Sequence, residues 1–268
     1  MAVISCATCG VERNVDVLPE ACPICMDERQ YMPADGVQRW VDPAVLDVGT
    51  EMRPIEPGLW SLVLHGTPGI GQQAKIIQTD AGCVMVEAPA AITDEAVAAV
   101  RALGEVKAII PTHPHMYGCQ SLWSEALGAT VYIAKADAQW LGERPARLEL
   151  WDGELAVAGV RASSPGGHFP GSAVVHWMAR DGCGVVVAGD TVMANPDRQT
   201  VSFMRSYPNR IPLSARVVAR IARHMERYEY ERLYNNFGEC VPRGAQNAVQ
   251  YSARRHIEWV MGTHDGDT

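Results

Sequence analysis

Long apolar runs are missing from this 268-residue chain, and no stretch approaches the ~18 residues that a membrane-crossing helix requires. The opening segment, Met1-Ala2-Val3-Ile4-Ser5-Cys6, lacks the charged and long apolar regions of a secretory leader. Both absences point to a cytoplasmic protein whose thiols stay reduced and to no membrane partner. A concentrated run of Lys and Arg is also missing, and the formal net charge is -8. Nucleic-acid partners need a basic face, so none is expected. The nearest candidate, Arg216 to Arg227, spaces its basic residues helically among apolar ones and reads as an amphipathic helix with a solvated basic edge. Internal repeats and low-complexity segments are absent as well.

What is there suits a globular body. The hydrophobic fraction is 47% and the charged fraction 20%, and the length allows a large core without disulfide staples. Residues 1–35 read as loop-like. Residues 36–57 read as an irregular connector, because Pro43, Pro54 and Pro57 oppose a long helix or a central strand. From residue 58 strands are expected over 59–64, 74–79 and 83–87, then a helix capped by Thr93, a strand over 106–111 and a helix near 120–127. A strand over 130–134 and a short helix from Asp137 follow. Strands then crowd together over 148–151, 159–163, 172–178 and 184–188. A helix to about Tyr228, a strand over 232–236 and a last helix over 245–261 complete the run. Two such mixed halves imply two sheets packed face to face with helices outside.

Eight cysteines divide into two groups. Cys83, Cys119, Cys183 and Cys240 are scattered, as buried small hydrophobes are. Cys6-x2-Cys9 and Cys22-x2-Cys25 form two tight pairs that together offer four thiolates to one metal. A loop-like segment of this size has too little apolar area to fold alone, and metal binding supplies what is missing. The spelling resembles zinc ribbons and also rubredoxins. Structural zinc is the reading taken; iron would make an electron-transfer site.

A second constellation begins where the 106–111 strand ends, at Thr112-His113-Pro114-His115-Met116-Tyr117-Gly118. In an extended segment residues two apart share a side, so both imidazoles can reach one ion. His168 follows in the turn Gly166-Gly167-His168-Phe169-Pro170-Gly171-Ser172. Asp190 tips an apolar strand at Gly189-Asp190-Thr191, where an unpaired carboxylate is costly. Three imidazoles and a carboxylate make a site for zinc, with iron or manganese as alternatives. His65, His176, His224, His256 and His264 read as ordinary surface or core histidines.

The order strand–His-x-His, Gly-His-x-Pro-Gly-Ser, strand–Gly-Asp resembles the metallo-β-lactamase superfamily over roughly residues 58–262. That resemblance implies an α+β fold, a four-layer αββα sandwich over 58–268, beside a small N-terminal four-Cys knuckle. In the family His-x-His-x-Asp-His builds a two-metal centre. His113 and His115 match its first two histidines, His168 the later one and Asp190 the bridging aspartate. Tyr117 and Gly118 stand where the motif's Asp and last His belong. Tyr234-Asn235-Asn236-Phe237-Gly238 carries no His where the final ligand is expected. A single metal remains. The chain also resembles a subgroup of this fold that shares an N-terminal knuckle and a Ser-His-Pro-His-x-Tyr-Gly-like motif.

Three histidines and an open position lower the pKa of a bound water toward neutrality. The expected activity is hydrolysis of a small-molecule ester, thioester, lactone or amide. Asp190 would orient or deprotonate the water. Tyr117 would donate to the oxyanion, or else pack in the space of the lost ligand. Arg205 and Tyr207, in Ser202–Asn209, are candidate substrate contacts, and Glu87 is a candidate support behind the ligands. Two other readings stay open: a catalytically reduced binding or regulatory protein, and an iron-containing redox protein with a rubredoxin-like knuckle. The knuckle is also a candidate surface for a homodimer or a protein partner.

Overall fold

A computed structural model describes residues 3–66 and 68–268; Met1 and Ala2 of the opening segment lie outside the described residues. The first 41 residues hold a three-stranded sheet of β1 (Val3–Cys6), β2 (Glu12–Asn14) and β3 (Trp40–Val41), with the short helix α1 (Pro23–Met26) beside it. This segment, read as loop-like, is ordered around its cysteines. β1 pairs with β3, so the connector contributes a strand to the knuckle sheet.

The connector also contains β4 (Gly49–Glu56), which was expected to be irregular. Pro54 is tolerated because β4 pairs only with β5 (Leu59–His65) and forms the edge of its sheet, with the register shifting between Pro54 and Glu56. The sheet runs onward through β6 (Ala74–Thr79), β7 (Gly82–Val86), β8 (Val106–Ile110), β9 (Thr130–Ala134) and β10 (Leu148–Trp151). Helices α2 (Asp94–Arg101) and α3 (Gln120–Leu127) cover its outer face. Thr93 caps α2 as expected, its hydroxyl accepting from the Ala96 amide at 3.1 Å. The short helix expected from Asp137 is a 3-10 turn over Lys135–Trp140.

The second sheet has the order β11-β12-β13-β14-β19-β20. Its strands are β11 (Glu154–Val157), β12 (Val160–Ser163), β13 (Val174–Met178) and β14 (Gly184–Val187), then β19 (Arg232–Tyr234) and β20 (Cys240–Val241). Between β14 and β19 lie two small ribbons, β15 (Met193–Ala194) with β16 (Val201–Ser202) and β17 (Met204–Ser206) with β18 (Ile211–Pro212). Helices α4 (Ala215–Met225) and α5 (Ala245–Val260) pack on its outer face.

Strand alternation assigns each apolar residue to a layer. Val84, Val86, Ala108 and Ile110 meet Val175, Val185 and Val187 between the sheets. Met85 and Ile109 face outward onto Trp123 of α3. Val186 and Leu233 face outward onto Ile221, Met225 and Val249 of α4 and α5. The order helix, sheet, sheet, helix is the expected αββα sandwich. No helix among the described residues is long and apolar enough to cross a membrane.

The knuckle is bolted to this body by backbone and side chain. The Glu12 amide donates to the Gly118 carbonyl at 2.9 Å, and its carboxylate accepts from the Ser121 amide at 2.8 Å and hydroxyl at 2.6 Å. Burial pushes the Glu12 carboxyl up to about 8 from its ordinary 4.5. A raised folded-state value means that folding is favoured below the unfolded value and loses that support as pH climbs toward 8. Glu12→Gln keeps an acceptor for Ser121 and removes the titration. In urea unfolding at pH 5 and pH 8, the parent should lose at least ~1 kcal/mol more than the variant. Equal losses would mean that Glu12 is already ionised at pH 5.

Candidate metal centre

Each ligand of the histidine site sits where a strand stops. β8 ends at Ile110, and His113 follows in extended conformation before a 3-10 turn over Pro114–Met116. The segment is thus not extended throughout, as the His-x-His spacing had suggested. Pro114 fits the first position of such a turn, where no N–H is required. The turn still brings His113 and His115 together, with ring centroids 5.2 Å apart. His168 is held by the loop before β13, where the Phe169 amide donates to the Ser172 hydroxyl at 2.7 Å and the Gly171 amide to Asp137 at 2.9 Å. Asp190 follows Gly189, which has φ 51°. A Cβ at Gly189 would meet Thr112 Oγ1 at 2.2 Å, so only glycine lets the end of β14 lie against Thr112 and His113.

Four ligand atoms, one each from His113, His115, His168 and Asp190, all lie within 4.8 Å of one another. His113 Nε2 is 3.5 Å and His168 Nε2 3.7 Å from Asp190 Oδ2, and His168 Nε2 is 3.2 Å from His115 Nδ1. The rings' outer contacts set their tautomers. Thr112 Oγ1 gives its one proton to Glu87 at 2.7 Å, so it can only accept from His113 Nδ1 at 3.0 Å. His168 Nδ1 likewise donates to the Met204 carbonyl at 3.1 Å. With each Nδ1 so engaged, both Nε2 atoms point inward. Phe169 packs behind all three rings, at 4.9 to 5.9 Å.

The electrostatics suit a cation. Burial, reinforced by the other two imidazoles, drives His115 well below its ordinary value, and burial lowers His168 to about 4 against the pull of Asp190. Burial alone would raise Asp190, but the imidazoles, His113 foremost, hold its carboxyl well below the usual carboxylate range. Burial opposes a charge on His113, yet Asp190 and Glu87 raise it. His113 Nε2, His115 Nε2 and Asp190 Oδ1 are buried without a hydrogen-bond partner among the described residues. Orphaned groups at this density are what a divalent ion would satisfy, and the donor set fits one.

Glu87 does stand behind the ligands. Its backbone has φ 71°, rare for a residue with a Cβ, and its carboxylate accepts from both the Thr112 amide, at 2.8 Å, and hydroxyl. The other candidates are less central. Tyr117 is buried in the core, its hydroxyl donating to the Asp137 carbonyl at 3.2 Å, so that hydroxyl is not free to meet an oxyanion. Arg205 pairs with Glu28 and does not line the cavity over the site. Tyr207 does line it, with its hydroxyl directed to the Asp190 and Ser202 carbonyls at 3.1 and 3.2 Å. Thr112, Met204 and Arg29 were missed. Only Thr112, adjoining the His-x-His, carried any sequence signal.

The four cysteines are buried and free, with Sγ–Sγ distances of 3.7 Å for Cys6–Cys25 and Cys9–Cys22. That is far too long for a disulfide and matches the roughly 3.8 Å edge of a tetrahedron with metal–sulfur bonds of ~2.3 Å. The Gln38 amide donates to Cys6 Sγ at 3.3 Å, satisfying a sulfur as thiolate sites require. The donor set fits one ion.

An αββα sandwich whose strand ends converge three histidines and an aspartate defines a metallo-hydrolase class of fold. Residues 68–235 match the family model of the metallo-beta-lactamase superfamily, and the chain belongs to that superfamily. The uncharacterized protein YmaE of Bacillus subtilis (strain 168) is 36% identical over 262 residues, covering 94% of this chain and 95% of the relative. Among solved structures, the DIM-1 metallo-beta-lactamase superposes with a TM-score of 0.60 at 15% identity, over 78% of this chain and 98% of that one. A metallo-beta-lactamase from Hirschia baltica does so with a TM-score of 0.54 at 17% identity, over 76% and 97%.

Gly118 and Asn236, which stand at or near the places where the resemblance expected further ligands, are engaged otherwise. Asn236, near the place of the expected last ligand, is buried and directs Nδ2 to Met116 Sδ at 2.7 Å. At Gly118, φ is 47° and a Cβ would meet the Ala88 carbonyl oxygen at 2.2 Å. Restoring the family residue by Gly118→His should therefore destabilise the fold by more than ~3 kcal/mol in thermal unfolding, with no gain of metal. A stable variant holding an extra ion would overturn this account of the missing site.

Proposed function

We propose that this protein is a mononuclear metal-dependent hydrolase acting on a small-molecule ester, thioester, lactone or amide. The observation that carries the reading is the convergence of three imidazoles and one ionised carboxylate, of which His115, His168 and Asp190 line a cavity of about 520 Å³. That volume lies within the range of small-molecule sites. A divalent metal held by His113, His115 and His168 with Asp190, zinc foremost, supplies Lewis acidity and an acidified water for attack on a carbonyl.

The chain's own groups do the rest. Asp190 faces the cavity and leaves Oδ1 without a partner, so it can orient the attacking water and hold its proton. Thr112 and the Met204 carbonyl keep the imidazoles from turning. Ile70, Met193 and Phe237 give the cavity an apolar wall that excludes bulk water and receives the body of the substrate. Tyr207 offers its ring rather than its hydroxyl to that substrate.

The knuckle is proposed to hold structural zinc. The redox alternative would need a second electron-accepting centre, and the histidine site, with Asp190 as its one carboxylate ligand, is poor in the carboxylates that a di-iron centre wants. A reducing, cytoplasmic setting suits four thiols kept as metal ligands.

Metal analysis of the purified protein should give two ions per chain, falling to one in the His113→Ala/His115→Ala double variant. Unchanged stoichiometry would remove the histidine site as a metal centre, and a red, iron-loaded knuckle would move the reading toward electron transfer. A panel of esters, thioesters, lactones, amides and phosphodiesters, tested with zinc, manganese and iron, addresses the chemistry. Asp190→Asn should lower kcat/KM on the best acyl substrate by roughly 10² or more. Turnover of phosphodiesters alone would exclude acyl hydrolysis.

A further inference from the structure

The knuckle does not end at its cysteines. The chain leaving Cys25 runs as an arm over residues 27–31 along the cavity wall, where Arg29, Gln30 and Tyr31 line the space beside His168. Arg29 is buried there, although it lies 139 positions before His168. Its Nε donates to the His168 carbonyl at 2.6 Å, its guanidinium lies 4.3 Å over the Phe169 ring, and its NH1 is fixed by Asp27 at 2.7 Å. A planar fork that donates at its side and stacks on its face is held in one pose, which a lysine cannot copy.

The same arm grips the other support of His168. Met204, whose carbonyl accepts from His168 Nδ1, opens the β17 ribbon. Ser206 Oγ in that ribbon donates to the Arg29 carbonyl at 3.2 Å. Asn209 Nδ2 reaches the carbonyls of Glu28 and Gln30 at 3.0 and 3.2 Å, and Arg205 pairs with Glu28. His168 is thus fixed at its backbone by Arg29 and at its ring by a ribbon tied to the Arg29 segment. Both constraints trace back to one arm rooted in Cys22 and Cys25.

We propose that Arg29 is a positioning residue for the metal ligand His168, and that the four-Cys knuckle is thereby a working part of the metal centre. The inference rests on the metal-ligand half of the proposed function and is independent of hydrolysis. Electrostatics sharpens it. The Arg29 charge opposes positive charge on His115 and His168, so removing it would by itself tighten a bound cation. A loss of affinity on removing Arg29 therefore reports lost positioning.

The test measures zinc affinity of the histidine site in the full chain, by competition with a chromogenic chelator. In Arg29→Ala this affinity should fall roughly 10- to 100-fold, as for other outer partners of metal ligands, while one ion stays in the knuckle. Arg29→Lys keeps the charge and one donor and should recover part of the loss. Asn209→Ala leaves Arg29 in place, cuts Asn209's own two hydrogen bonds to the arm while those of Ser206 and Arg205 remain, and should weaken zinc in the same direction; it serves if Arg29→Ala does not fold. A folded Arg29→Ala, or failing that Asn209→Ala, within about twofold of the parent overturns the positioning role and leaves the hydrolase reading standing. A parent chain that holds zinc at the cysteines alone overturns both.

Discussion

A neutral imidazole offers one lone pair, and its direction is set by whatever occupies the opposite nitrogen. This constraint governs the molecule more than any single ligand does. His113 Nε2 and His168 Nε2 can point at a common spot because Thr112 and the Met204 carbonyl hold the two Nδ1–H groups. Thr112 can only accept because Glu87 takes its proton, and Glu87 reaches it only from a left-handed backbone. The same left-handed freedom at Gly189 brings Asp190 within 3.5 Å of His113. Strain and glycine positions that look scattered along the chain therefore converge on one requirement, that lone pairs meet.

Packing accounts for the positions that the resemblance would have given to further ligands. Losing ligands by substitution alone would leave a polar hole, and a polar hole in a core is costly unless filled. Here the backbone at Gly118 has closed onto Ala88 and Pro89, and Asn236 has turned to Met116. Tyr117 occupies core volume with its hydroxyl directed to the Asp137 carbonyl. These positions are thus closely packed, although Asn235 Nδ2 and Asn236 Oδ1 stay buried without a partner among the described residues.

The ligands themselves were legible because they sit beside punctuation: His113 and His115 after an apolar strand, His168 among glycines, Asp190 after Gly189. The α2 helix was legible through Thr93 and its acidic first turn. Several strands were not, β4 and β11 of the two large sheets among them. Pro54 argues correctly against a central strand, but a sequence does not say which strand forms an edge. β11 was hidden because Ala158-Gly159 lacks the usual Asn-Gly spelling. Both residues nonetheless adopt positive φ, 45° and 79°, and close a tight hairpin with β12. Arg29 had no local signal at all, because its meaning depends on His168 far along the chain.

That distance bears on why a metal knuckle suits this place. A cavity wall made by a short arm with little core of its own would fray, and a frayed Arg29 could not hold a carbonyl at 2.6 Å. Four buried sulfurs packed within reach of one ion give the arm a fixed root without a large apolar area. Glu12, Asn14 and Ala7 then fasten that root to Ser121, Gly142 and Gly69 of the sandwich. The knuckle thus acts as an anchor whose rigidity is transmitted, through five residues of backbone, to a ligand that the superfamily fold leaves on a glycine-rich turn.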